Sequence, residues 1–88
     1  EHTTLGRFDL AAESERFPPG DASSGRRAET PVKDERLRVV LMTMRAAAEL
    51  ARHDAPGPIA IQTLRGRFAV SVGGRDLDLP TGSLAAIA

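Results

Sequence analysis

The chain has 88 residues, 12 basic and 12 acidic, and it contains no cysteine, tryptophan or tyrosine. That length allows one small domain with a modest core. Without cysteine there is no disulfide framework, thiolate metal site or thiol nucleophile to supplement that core.

Alanine appears 14 times and arginine 11 times, while lysine appears once and isoleucine three times. This skew is what a GC-rich genome imposes on codon choice, so arginine abundance is weak evidence for nucleic-acid binding. Zero net charge also argues against a long-range electrostatic footprint. No apolar run approaches the roughly 18 residues of a spanning helix, and the N-terminus lacks the basic-then-apolar layout of a signal peptide. A soluble, cytoplasmic protein with no membrane partner is expected. A first residue of Glu1 and an apolar finish over 83–88 read as part of a larger, bacterial-type protein.

Residues 1–30 read as an N-terminal arm. Leu5-Gly6-Arg7-Phe8-Asp9-Leu10 alternates enough for a short strand within 4–10. From Ala11 to Pro31 the chain is rich in Pro, Gly, Ser and charge, a composition that buries too little apolar surface to order itself. The expectation is a flexible arm with no regular structure over 11–30.

A long amphipathic helix is expected over 31–53. Thr30 fits an N-cap, Pro31 the first helical position, and Asp34 and Glu35 the acidic first turn. Leu37, Val40, Leu41, Met44, Ala47, Ala48 and Ala51 recur at spacings of three and four, which makes one apolar stripe. On a helix, Val39, Met42, Ala46 and Leu50 form a second strip on the far side. One small sheet needs one covering face, so this second strip is the candidate self-association surface of a homodimer. The helix stops near His53, before Asp54-Ala55-Pro56-Gly57-Pro58, and His53 reads as a C-terminal cap rather than a catalytic or metal-binding imidazole.

Beyond Pro58 the period becomes two. Strands are expected at 58–64, 67–72 and 75–79, joined by two-residue turns at Arg65-Gly66 and Gly73-Gly74. The first turn places Thr63 opposite Phe68, Ile61 opposite Val70 and Ile59 opposite Val72. The second places Val70 opposite Leu77 and Phe68 opposite Leu79. The resulting apolar row of Ile61, Val70 and Leu77 is expected against Leu41 and Met44. After Pro80, Thr81 or Ser83 can cap a helix that starts within 82–88.

The expected fold class is therefore α+β: one long amphipathic helix packed on a three-stranded antiparallel β-meander, with a flexible N-terminal arm and the start of a second helix. Asp76 and Asp78 share one strand face, where they read as solvated carboxylates near Arg67 rather than a metal or acid/base pair. The glycines have neither Walker nor dinucleotide spacing, and no serine sits in a nucleophile elbow. No catalytic residue, metal or cofactor is assigned. The expected function is a non-catalytic interaction or oligomerisation module whose partner is itself or a larger protein. The alternative is a small nucleic-acid-binding regulator that uses Arg65, Arg67 and Arg75 near the hairpin tips.

Overall fold

The computed structural model describes residues 1–20, 23–50 and 55–88. The chain divides into two compact units, residues 1–51 and 52–88. The expected α+β arrangement does not form. Six strands in antiparallel pairs and a single seven-residue helix replace it among the described residues.

In the first unit the region expected to lack regular structure carries a helix and most of a strand among its described residues. Residues 1–9 carry no strand, which corrects the one expected within 4–10. Helix α1 spans Leu10–Arg16. Asp9 caps it, its Oδ1 accepting from the Ala12 N–H at 3.2 Å, and the Glu13 N–H donates to the Asp9 carbonyl at 2.9 Å. Strand β1, Arg26–Lys33, follows and pairs with β2, Arg38–Met44.

Strand β2 occupies the centre of the segment expected to be a long helix. The spacing that makes a helical stripe of Leu37, Val40, Leu41 and Met44 also fits a strand, because the short, mostly apolar run Val39–Met44 satisfies either period. Val39, Val40 and Thr43 are β-branched and favour the extended state. β1 settles the competition by supplying a ladder, with Val32 opposite Val39, Ala28 opposite Met42 and Arg27 opposite Thr43.

Pro31, expected at a helix start, instead lies where the register shifts between Glu29 and Val32. A bulge tolerates a residue without an N–H. Asp34 and Glu35 lie in the loop between the strands, where the Asp34 N–H donates to the Leu37 carbonyl at 2.8 Å. Past Met44 the chain turns. The Ala48 N–H bonds the Arg45 carbonyl at 3.1 Å, and Ala47 has φ +66°, which no right-handed helix accommodates. The expected stop at His53 and Asp54 lies outside the described residues.

One face of the β1–β2 ribbon carries α1. Leu41 is buried on that side, and Thr43 Oγ1 donates to the Phe17 carbonyl at 2.7 Å, just past the helix end. The Phe17 ring receives the Arg27 and Arg16 guanidinium groups at 4.7 and 5.1 Å from its centroid.

The second unit holds β3 (Ile59–Gln62), β4 (Arg67–Val72), β5 (Arg75–Pro80) and β6 (Leu84–Ile87). The β4–β5 hairpin forms on Gly73-Gly74 with the expected register, Val70 opposite Leu77 and Phe68 opposite Leu79. Both glycines have positive φ, +57° and +78°, as a type I′ turn requires. Val70 is half-buried and Ser71 exposed.

The rest of the expected meander is corrected. Arg65-Gly66 is not a hairpin turn, because β3 pairs with β6: Ile59 faces Ile87 and Ile61 faces Ala85. The row of Ile61 with Val70 and Leu77 therefore does not exist, and Leu41 and Met44 belong to the other unit. The helix start expected within 82–88 is strand β6. Pro80 to Ser83 form a tight turn, with the Ser83 N–H on the Pro80 carbonyl at 3.0 Å and Gly82 at φ +87°.

Thr63 joins the two ribbons of this unit. Its N–H donates to the Ser83 carbonyl at 3.0 Å, its carbonyl accepts from the Gly82 N–H at 2.7 Å, and its hydroxyl donates to the Leu79 carbonyl at 3.0 Å. Thr63 is 2% exposed, and Leu79 beside it is the one buried large apolar side chain among the described residues of this unit. Thr81, expected as a cap, donates its hydroxyl to the Gly66 carbonyl at 2.8 Å. The chain thus runs out through β3 and β4 and back through β5 and β6, with hydroxyl-clamped connections between the two tiers.

Candidate functional site

The residues expected to self-associate do not form the expected helical strip. Their common strip required a helix, whereas on β2 Val39 and Met42 are three residues apart and so project from opposite sides of the ribbon. Both are half-buried. Ala46 lies in the turn after β2, and Leu50 follows it in irregular chain at 42% exposure. The helical strip therefore does not exist as a surface.

The arginines expected near hairpin tips are also dispersed. Arg67 begins β4 and shares a face with Ala69 and Ser71, whereas Arg75 is directly opposite Val72 and so takes the other face. Arg67 Nε is 3.1 Å from Asp78 Oδ1. Arg65 lies in the connection between β3 and β4 rather than at a hairpin tip.

Asp76 and Asp78 do lie on one strand face, each with a cross-strand partner, since Ser71 Oγ donates to Asp76 and Arg67 engages Asp78. Among the described residues no three His, Asp or Glu side chains are grouped closely enough to hold a metal ion. Also among them, no helix is long and apolar enough to cross a membrane.

Among the described residues of the first unit, two concavities stand out. One, of about 380 Å³, is bounded by Ser24, Gly25, Arg45 and the Ala46–Glu49 turn. The Arg45 side chain there donates from Nη1 to the Gly20 carbonyl at 2.6 Å, and its backbone N–H donates to the Gly25 carbonyl at 2.7 Å. The Arg26 guanidinium donates to the Glu49 carbonyl at 2.9 Å. These bonds commit the nearby cations to structural carbonyls.

The other, of about 240 Å³, lies between α1 and the ribbon, with Phe8, Phe17, Pro31 and Leu41 as apolar wall and Glu13 and Glu29 at its margin. Arg16 and Arg27 engage those carboxylates, each at 3.2 Å.

What the second unit offers instead is backbone. Every strand belongs to a two-stranded ribbon, so each keeps an edge that no other described strand occupies. The ribbon faces are amphipathic. Phe68, Val70 and Val72 are half-buried on one side of β4, while Arg67, Ala69 and Ser71 are exposed on the other. Ile59, Leu77 and Leu84 remain 38%, 36% and 62% exposed. The sequence pattern marked these strands but not their open edges, which depend on pairing partners. Comparison with protein-family models, curated proteins and solved structures finds no match to this chain.

Proposed function

We propose that the chain is a non-catalytic association module that binds another polypeptide through its strands. The observation behind this reading is the set of unpaired edges: all six strands lie in two-stranded ribbons. An isolated two-stranded ribbon is marginal in water, and a third strand both satisfies outward N–H and C=O groups and covers half-exposed apolar residues. Only Leu41 and Leu79 are buried large apolar side chains among the described residues, which leaves Ile59, Leu77 and Leu84 available to a partner. Zero net charge keeps self-repulsion low.

Backbone and apolar contacts lose little strength in salt, whereas phosphate binding weakens steeply. Light scattering on the purified chain, from low micromolar to several hundred micromolar and at low and high salt, tests the reading. A mass above that of the monomer that persists in high salt is expected. A strict monomer throughout, with the ribbons still folded by circular dichroism, refutes association with itself and leaves a larger protein as the partner to be found.

A further inference from the structure

The two edges of the β4–β5 hairpin differ in a way that selects one of them. A two-residue loop closes on a pair that exchanges both hydrogen bonds, so Val72 and Arg75 are bonded to each other. Strict alternation from there makes Val70–Leu77 and Phe68–Leu79 bonded pairs as well. It turns the N–H and C=O of Arg67, Ala69 and Ser71 outward on β4, and those of Asp76, Asp78 and Pro80 outward on β5. Pro80, which has no N–H, sits where the ladder asks for none.

The β5 edge thus carries two carboxylates and a proline, the features by which natural sheets block edge pairing. The β4 edge carries Ala69 and Ser71, both small and exposed, and its one charge, Arg67, is held by Asp78. β3 and β6 are also uncharged, but with four residues each they offer a shorter ladder.

We infer that β4 is the association edge and that its partner is β4 of a second copy, antiparallel about a twofold axis at Val70. This rests on the association reading above and supplies its partner and its surface. The register follows from parity. Outward backbone groups belong to odd-numbered residues, so new bonds join odd to odd, and the axis at Val70 sets Ala69 opposite Ser71 of the other copy.

Val70 then meets its own equivalent, and Phe68 meets Val72, an aromatic with a β-branched residue on the same apolar face. No like charges oppose each other. The fullest overlaps of β5 with its own copy would set carboxylate against carboxylate instead. The product is a four-stranded sheet in the order β5-β4-β4-β5, whose outer edges are the blocked ones. Assembly therefore closes at a dimer rather than growing into a fibre.

The chain lacks cysteine, so a single introduced thiol reports the register directly. At the axis, residues 70 form a non-hydrogen-bonded pair with Cα atoms about 4.5 Å apart, within disulfide reach. Residues 71 of the two copies are offset by two positions, roughly 8 Å apart and beyond reach. Val70→Cys is expected to give a covalent dimer under mild oxidation, while Ser71→Cys stays largely uncrosslinked.

A mixture of Ala69→Cys and Ser71→Cys chains gives the mixed disulfide, which covers the case in which Val70→Cys fails to fold. In the wild-type chain, amide exchange at Ala69 and Ser71 is expected to slow as concentration rises. A wild-type dimer without selective crosslinking at 70, and without protection of those two amides, overturns the β4 edge while leaving association intact. A folded wild-type monomer at several hundred micromolar overturns this pairing and the homodimer together.

Discussion

Gly25 offers the sharpest test of how the first unit is built. It is buried at φ +71°, its carbonyl accepts the Arg45 N–H at 2.7 Å, and a Cβ placed on it would come 2.9 Å from the Ala48 Cβ. Gly25→Ala therefore meets two separable penalties. Holding an L-residue in the left-handed region costs about 1–2 kcal/mol. Relieving the overlap with Ala48 adds about 1–3 kcal/mol, the usual range for overpacking.

The sum, about 2–5 kcal/mol, is large for a unit of this size. Urea unfolding followed by far-ultraviolet circular dichroism reads it, since the chain has no tryptophan or tyrosine to report by fluorescence. Ala48→Gly separates the terms. In that background the overlap disappears, and Gly25→Ala is expected to cost only the backbone part, about 1–2 kcal/mol. Two results refute the reasoning. One is a Gly25→Ala chain within about 0.5 kcal/mol of wild type, the ordinary scatter of a neutral change. The other is a cost that Ala48→Gly leaves untouched, which would mean that Ala48 does not pack on Gly25.

Ala47, at φ +66°, is the converse case: Ala47→Gly is expected to be neutral or stabilising by up to about 1 kcal/mol, and a clear destabilisation in the same urea titration would contradict the left-handed turn. Thr63→Val keeps the shape of the buried joint but removes the hydroxyl bond to Leu79, so a loss of about 1 kcal/mol is expected in thermal melts, against no change if packing alone holds Thr63. The Arg67–Asp78 pair is 69% and 66% exposed, so Arg67→Ala and Asp78→Ala are each expected within about 0.5 kcal/mol of wild type in stability, and a larger loss would show that the pair organises the hairpin.

The Gly73-Gly74 hairpin was legible in the sequence because its determinants are local. Two glycines supply the positive φ values, and a period-two pattern on either side leaves one register that keeps Phe68, Val70, Leu77 and Leu79 on a single face. The polar roles of Asp76 and Asp78 were legible for the same reason, since alternation alone puts them beside Ser71 and Arg67.

The candidate surface was only half legible. Residues 67–72 could be marked as a strand, but which of its edges stays open depends on β5, through the loop that sets the bonding parity and through Pro80, whose role emerges only in the pair. Arg65-Gly66 looked equally fit for a turn. It was overruled because β6, fully 22 residues beyond Gln62, brings Ile87 and Ala85 to face Ile59 and Ile61, with Thr63 clamping the joint.

The segment from Thr30 to Ala51 shows the same division more sharply. Its apolar spacing satisfied a helix, and its caps agreed, because capping and periodicity are properties of a short window. What the window does not contain is β1. Arg26–Lys33, whose first part reads as the end of an arm and whose last residues read as a helix start, becomes a strand only by bonding β2, and β2 becomes a strand only by that same ladder. Helix hydrogen bonds close within a segment, so a sequence can propose them unaided. Strand hydrogen bonds close between segments, so the alternative prevailed only in the tertiary structure, where Val32 meets Val39 and Thr43 meets the carbonyl of Phe17.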